Sequence, residues 1–89
     1  MKIARRYVVR GKVQGVGYRF FAVTCAGALG ISGWVRNGAD GSVEVHAEGT
    51  DDQLREFAFD LSRGARYARV ASVDPTDVPV EDLTGFRQL

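Results

Sequence analysis

The sequence predicts an α+β fold in which two helices cover one face of an antiparallel sheet. Two observations lead to this class. Strand-like and helix-like patterns alternate in the order β-α-β-β-α-β along the 89 residues. A chain of this length forms one domain around one hydrophobic core. We therefore expect residues 1–89 to form a single domain.

The first predicted strand covers residues 3–10. Ile3, Tyr7 and Val9 fall on one face, while the alternate positions include two arginines. A strand with one apolar and one polar face suits an antiparallel sheet whose second face meets water. A glycine-containing loop, residues 11–17, follows the strand.

The first predicted helix covers residues 18–29 and ends at Gly30, a residue that favours helix C-termini. Arg19 is its only charged residue, so the helix is apolar almost all round. Small residues such as alanine and glycine are tolerated on a helix surface, and we favour that interpretation. The alternative is a surface for a partner, with Phe20 or Val23 pointing outward.

Two further strands, residues 31–37 and 42–49, flank the turn sequence NGADG and form a hairpin. Three apolar residues of the second strand are expected to face the core, namely Val43, Val45 and Ala47. The polar residues that alternate with them are expected to face solvent, namely Glu44, His46 and Glu48. His46, the only histidine, is thus predicted to be a solvated residue rather than a base or a ligand. Trp34 is expected to pack against long neighbours on the open sheet face.

The second helix is the best-marked element. Thr50 and Gln53 form a capping box, and the helix is expected to end at Gly64. Its apolar stripe consists of Leu54, Phe57, Ala58 and Leu61. A last strand is expected within residues 67–73. Two proline-containing dipeptides, Asp74-Pro75 and Val78-Pro79, are then expected to break the chain before a short tail.

The alternation of these elements is the ferredoxin-like βαββαβ sandwich, a fold that many unrelated functions share. The chain has no apolar run of about 18 residues, so no membrane span is expected. It also lacks the long apolar region of a secretory signal, and its single cysteine allows no internal disulfide. We therefore expect a cytoplasmic protein.

The charges are divided unevenly between the two halves of the chain. Residues 1–39 contain seven Lys or Arg and no acidic residue, whereas residues 40–89 contain five basic and eleven acidic residues. The halves thus carry +7 and −6. One interpretation is that they neutralise each other in the fold. The other is that the first half contains an anion site.

The loop before the first helix has features of such a site. The N–H groups at a helix N-terminus are free and carry partial positive charge. Gly15 and Gly17 allow the backbone to turn these groups onto one centre, and Arg19 adds a planar set of donors. The two common phosphate motifs, GxxxxGK[ST] and GxGxxG, are absent. The alternative is a plain turn with Arg19 as a solvated charge.

Asn37 has two interpretations as well. An Asn-Gly pair is a turn signal, so Asn37 alone accounts for a hairpin turn. Its amide can instead orient a water molecule, provided that the hairpin end lies beside the glycine loop.

Four segments resemble the acylphosphatase family in the order in which they occur. They are GKVQGVGYR at 11–19, GWVRNGADGSVEVHAEG at 33–49, ARYARV at 65–70 and GF at 85–86. The first two are long and specific. The resemblance implies the ferredoxin-like fold and hydrolysis of the carboxyl–phosphate bond of acyl phosphates without a metal or a cofactor.

The resemblance also implies roles for individual residues. Arg19 is implied to hold the phosphoryl group, and Asn37 to position the attacking water. Backbone donors for the phosphate are implied in the loop residues Gln14, Gly15, Val16, Gly17 and Tyr18. The implied partner is a small-molecule acyl phosphate. We expect a monomer that binds no nucleic acid and no membrane.

Two other classes of function remain as alternatives. A ferredoxin-like module can bind nucleic acid, and Arg5, Arg6, Arg10 and Lys12 are basic, but residues 42–49 lack the aromatic residues on which bases stack. A non-catalytic phosphate-binding or regulatory module is the second alternative. The presence of both Arg19 and Asn37 favours the enzyme.

Overall fold

Seven elements follow one another along the chain, and the computed structural model describes all 89 residues. They are β1 (Ile3–Lys12), α1 (Tyr18–Leu29), β2 (Ser32–Asn37), β3 (Val43–Gly49), α2 (Asp51–Arg63), β4 (Arg69–Val78) and β5 (Phe86–Gln88). The strands form one sheet in the order β4-β1-β3-β2-β5, and both helices pack on the same face. The predicted α+β, ferredoxin-like fold is confirmed.

The sheet is mixed rather than purely antiparallel. The four long strands pair antiparallel, as predicted, but β5 runs parallel to β2 along the outer edge. β5 lies in the segment that was expected to be a tail. Phe86 explains its position, because its ring packs edge-on against Phe57 of α2, with 5.9 Å between the ring centroids. An aromatic ring packed against the core in this way anchors a short strand.

The core lies between the sheet and the helices. Leu54, Phe57 and Leu61 of α2 are completely buried, and so are Val43, Val45 and Ala47 of β3, as predicted. Burial of a Leu or Phe side chain stabilises a fold by about 1.5–3 kcal/mol. On α1 the buried residues are Tyr18, Ala22 and Ala26, spaced four apart, so that a single stripe of this helix faces the sheet.

Helix α1 has the predicted bounds, and Gly30 ends it in a left-handed conformation with φ of 72°. The two residues considered as an outward surface differ from each other. Phe20 is 70% exposed, whereas Val23 packs against the core. The apolar outer face of α1 therefore consists mainly of small residues, with Phe20 at its first turn.

The capping box of α2 is present in full. The Thr50 hydroxyl accepts a hydrogen bond from the Gln53 N–H at 3.2 Å, and the Gln53 side chain accepts one from the Thr50 N–H at 2.8 Å. The Gln53 amide also donates to the Leu29 carbonyl at 2.8 Å. Gln53 thus connects the start of α2 to the end of α1 in addition to capping the helix.

The prediction for the last long strand was wrong in its bounds. Strand β4 begins at Arg69 and continues through Asp74 and Pro75, which were expected to interrupt it, to Val78. Proline lacks an N–H and is excluded from central strands, but β4 is an edge strand that pairs only with β1. Pro75 is therefore accommodated opposite Tyr7, and the strand ends just before Pro79.

The prediction that His46 and Glu48 face solvent was also wrong. His46 is 0% and Glu48 1% exposed, although both lie on the sheet face opposite the helices. The chain between β4 and β5 has to pass from one edge of the sheet to the other, and it crosses this face. There the N–H groups of Glu81 and Leu83 donate to the Glu48 carboxylate at 2.7 and 3.0 Å.

Trp34 covers the same face, as predicted. Its ring stacks on His46 with 5.7 Å between the centroids, and the guanidinium groups of Arg6 and Arg36 lie 5.0 and 4.7 Å from its centre. The third polar residue of the alternating set, Glu44, is partly exposed and pairs with Arg36 at 2.8 Å. Only Glu44 thus fits the expected alternation.

Candidate active site

The loop between β1 and α1 presents a set of free N–H groups. Gly15 and Gly17 have φ of 73° and 77°, a left-handed conformation that glycine adopts without strain. The first hydrogen bond of α1 runs from the Phe21 N–H to the Gly17 carbonyl at 3.0 Å, and no N–H of residues 15–20 donates to a protein acceptor. These donors, together with the positive end of the helix dipole, favour an anion.

The side chains of the same loop fix it to the rest of the fold. Tyr18 is buried and its hydroxyl donates to the Leu61 carbonyl at 2.7 Å, while Val16 packs against the core. Burial raises the pKa of Tyr18, so the phenol stays neutral at physiological pH. Of the predicted binding residues, Val16 and Tyr18 therefore offer an anion their backbone N–H groups, not their side chains.

Gln14 joins the loop to the β2–β3 hairpin. Its amide nitrogen donates to the carbonyls of Gly38 and Ser42, both at 2.8 Å. The hairpin turn is itself held by Asp40, whose carboxylate accepts from the Ser42 N–H at 3.1 Å and from the Ser42 hydroxyl at 2.6 Å. These hydrogen bonds, with one from Arg10, lower the pKa of Asp40 to about 2. The loop and the hairpin are thus fixed relative to each other.

Arg19 and Asn37 lie at one pocket. The pocket has a volume of about 90 Å³ and is bordered by Gly15, Gly17, Arg19, Asn37 and Gln88, among others. That volume equals about three water molecules at ~30 Å³ each, which suits a group the size of a phosphoryl. The fold therefore brings the two predicted catalytic residues together with the glycine loop.

The surroundings of Asn37 bear on its two interpretations. Its side chain is exposed at the end of β2 and makes no hydrogen bond to the protein, and its φ is not positive. The turn is held by Asp40 and by a bond from the Gly38 N–H to the Ser42 carbonyl at 2.7 Å. Since other residues shape the turn, the amide of Asn37 is free for a ligand.

The charges of the two halves of the chain largely pair with each other. Five of the seven basic residues in positions 1–39 contact acidic residues from positions 40–89, namely Lys2, Arg5, Arg6, Arg10 and Arg36. Arg19 has no acidic partner. Its Nη1 instead donates to the carbonyl of Leu89 at 2.7 Å. No Asp or Glu side chain therefore neutralises the arginine at the pocket.

Four residues at or beside the pocket were not assigned to it from the sequence. Val13, Phe20 and Gln88 border it, and Leu89 contacts Arg19. Phe20 was considered only as a surface residue of α1, and residues 88 and 89 lie in the expected tail. Their positions depend on β5 pairing with β2, for which the three-residue sequence gives no periodic signal.

Two further observations concern other kinds of site. No group of three or more His, Cys, Asp or Glu side chains is arranged to hold a metal ion. None of the helices is long and apolar enough to cross a membrane.

Known proteins resemble this chain over nearly its whole length. The Acylphosphatase family model matches residues 5–88. An acylphosphatase of Bifidobacterium longum is 45% identical over 90 residues, covering 97% of this chain and 93% of the relative. One of Synechococcus sp. is 51% identical over 81 residues, covering 91% of this chain and 81% of the relative.

A solved structure supports the same relationship. The crystal structure of acylphosphatase from Bacillus subtilis superimposes with a TM-score of 0.95 at 33% identity, covering 100% of this chain and 99% of that one. The family match, the relatives and the solved structure agree with the fold. The chain belongs to the acylphosphatase family of enzymes.

Proposed function

We propose that this enzyme hydrolyses the carboxyl–phosphate anhydride bond of acyl phosphates to a carboxylate and inorganic phosphate, through Arg19, Asn37 and the loop N–H groups. The observation that carries the proposal is their arrangement around one pocket. Gly15 and the residues 17–20, whose N–H groups are free, border the same space as the amide of Asn37. The guanidinium of Arg19, which has no acidic side-chain partner, borders it too.

The leaving group explains why so few side chains suffice. An acyl phosphate expels a carboxylate, whose conjugate acid has a pKa of ~4. At neutral pH such a group leaves without being protonated, so no general acid is required. Apart from Arg19, the residues that border the pocket carry no ionised side chain, which agrees with this requirement.

Phosphoryl transfer spreads negative charge over three oxygens in the transition state. Catalysis then depends on fixed positive groups that need no reorganisation during the reaction. In the proposal the loop N–H groups and the guanidinium of Arg19 bind these oxygens. Arg19 is suited to this role because a planar guanidinium can bind two oxygens at once.

The attacking water is assigned to Asn37. An amide has both a donor and an acceptor, so it can hold water in a fixed orientation opposite the leaving carboxylate. Gln14 contributes indirectly, since it fixes the hairpin that carries Asn37 relative to the loop that binds phosphate. A phosphate oxygen of the substrate takes the proton of the water, and the proposed mechanism uses no metal.

The test is hydrolysis of benzoyl phosphate, with and without a chelator. We expect turnover that the chelator does not change, and much slower hydrolysis of phenyl phosphate, whose phenol leaving group has a pKa of ~10. The Asn37→Ala protein, purified in the same way, controls for contaminating phosphatases. Equal rates on the two substrates, or loss of activity with chelator, would contradict the proposed mechanism.

A further inference from the structure

A second cationic cluster lies close to the proposed phosphate pocket. Seven of the twelve Lys and Arg residues have an acidic side chain within 4.0 Å. The others are Lys12, Arg19, Arg66, Arg69 and Arg87. Three of these five, together with Tyr67 and Ala68, border one cleft of about 360 Å³, namely Lys12, Arg66 and Arg69. Most unpaired positive charges are thus gathered around the pocket and this cleft.

The arrangement of Lys12 and Arg69 is unfavourable for the fold alone. They lie directly opposite each other in the antiparallel pairing of β1 and β4. Like charges at facing positions destabilise a sheet. No acidic side chain offsets the repulsion, although acidic residues do neutralise Arg5 and Arg10 on the same strand. An anion bound between the two cations would remove this repulsion.

The cleft adjoins the phosphate pocket along the chain. Lys12 borders the cleft, and the next residue, Val13, borders the pocket. Arg66 and Tyr67 occupy a turn closed by a bond from the Ala68 N–H to the Ala65 carbonyl at 3.0 Å. This turn follows Gly64, where an added Cβ atom would lie 3.9 Å from the ring of Tyr18, the first residue of α1. The cleft and the pocket thus both lie at the end of β1.

We propose that Lys12, Arg66 and Arg69 form a second anion subsite that binds a negatively charged group on the acyl part of the substrate. The preferred substrates are then acyl phosphates of acids that carry a second carboxylate or phosphate. Tyr67 is 67% exposed and offers an apolar surface for the carbon skeleton, with the Arg66 guanidinium 5.5 Å from its ring centre. This inference rests on the proposed function, since it assumes that the phosphoryl group occupies the loop.

Matched substrates test the anion subsite separately from hydrolysis at the glycine loop. Benzoyl phosphates that carry a carboxylate at position 3 or 4 are compared with the carbamoyl compounds, which have similar size but no charge. At low ionic strength we expect kcat/KM to favour at least one carboxylate over its carbamoyl counterpart by about fivefold to tenfold. Added salt reduces this ratio, because it screens exposed charges.

The variants test whether the cluster causes the preference. In the Lys12→Gln/Arg69→Gln protein and in Arg66→Gln we expect the ratio to fall toward one. The control, Lys2→Gln/Arg55→Gln, removes the same net charge as the double variant from sites outside the cleft and should keep the wild-type ratio. The double variant should also be as stable as wild type or more stable, because it removes two facing like charges.

The outcomes distinguish failure of the inference from failure of the proposed function. If none of the benzoyl phosphates is hydrolysed, the proposed function is wrong and the subsite has no substrate to select. If all are hydrolysed with equal kcat/KM for carboxylate and carbamoyl compounds, only the subsite is wrong. A preference that the control double variant loses as strongly as the cleft variants would reflect net charge and would overturn the assignment.

Discussion

Nη1 of Arg19 donates a hydrogen bond to the carbonyl oxygen of Leu89 at 2.7 Å. Leu89 is held in turn, because its N–H donates to the carbonyl of Val35 in β2 at 2.9 Å. The guanidinium is therefore oriented by an element at the sheet edge, and its other N–H groups remain available. Orientation before substrate arrives reduces the entropy lost when a flexible side chain binds its ligand.

This orientation leads to a prediction for Arg19. In Arg19→Ala we expect kcat/KM for benzoyl phosphate to fall by about 10³-fold or more, as when other phosphoryl-transfer enzymes lose their arginine. Arg19→Lys should recover little of this loss, since lysine keeps the charge but not the planar pair of donors. Both proteins should fold, which circular dichroism and thermal melting check. Arg87→Ala, which also removes an arginine without an acidic partner, serves as the control and should be active.

Asn37 should affect turnover rather than binding. In Asn37→Ala we expect kcat to fall by about 10²–10³-fold, the size found for other positioned polar groups, with KM little changed. In Asn37→Asp the added negative charge repels the phosphate, so KM should rise as well. Steady-state kinetics of the two variants, compared with wild type, measure kcat and KM separately. A rise in KM alone for Asn37→Ala would assign the residue to binding and not to the water.

Inorganic phosphate should stabilise the folded protein, because it occupies the site of the phosphoryl group. A ligand at 100 times its Kd raises the free energy of unfolding by about 2.7 kcal/mol. We expect the melting temperature to rise with phosphate concentration in wild type and in Asn37→Ala, and to change much less in Arg19→Ala. Sodium chloride at equal ionic strength separates binding of phosphate from a general salt effect. Equal stabilisation of all three proteins would place the phosphate elsewhere.

Gln14 is predicted to affect catalysis by holding the hairpin that carries Asn37 in place beside the loop. Its amide bridges the loop to the carbonyls of Gly38 and Ser42, and a displacement of about 1 Å in a catalytic group can cost about 10²-fold in rate. We therefore expect Gln14→Ala to lower kcat/KM by about 10- to 100-fold, with a loss of about 1–2 kcal/mol in the free energy of unfolding. Kinetics and urea unfolding measure the two effects. A variant with kcat/KM within about twofold of wild type would show that the bridge is not needed.

Local signals in the sequence predicted most of the fold. The bounds of α1, the capping box at Thr50 and the β2–β3 hairpin each follow from residues that are neighbours in the chain. The same holds for the glycine loop and Arg19, where one short segment contains both the free N–H groups and the charge. Asn37 required the fold as well, because only strand order places the hairpin beside that loop.

The features that the sequence did not predict depend on one long connection. Residues 79–85 cross the sheet from β4 to β5, and neither the crossing nor the short strand has a periodic pattern. The crossing buries His46 and Glu48, which alternation alone assigns to solvent. It also brings the last residues beside β2, and so places Leu89 at Arg19. The wrong prediction for His46 and Glu48 and the missed position of the last residues therefore have the same physical origin, the crossing of residues 79–85.

Glu48 should make the stability of the protein depend on pH. Burial raises the pKa of this carboxyl, but hydrogen bonds from His46 and from the N–H groups of Glu81 and Leu83 outweigh burial and hold the pKa below its ordinary value. A group whose pKa is lower in the folded state stabilises the fold above its unfolded pKa of ~4.3. That stabilisation is lost as the pH falls through the pKa of Glu48 in the unfolded state and then through its lower pKa in the folded state.

The comparison of wild type with Glu48→Gln isolates this contribution, since carboxyls such as Asp40 titrate in both proteins. At pH 7 we expect the variant to be less stable by about 1–3 kcal/mol, because glutamine carries no charge and offers a single acceptor oxygen to the two N–H groups. Between pH 5 and pH 3 the difference should narrow, since wild type loses its advantage as Glu48 is protonated. Urea unfolding at several pH values measures it. A difference that stays constant over this range would show that Glu48 does not titrate there.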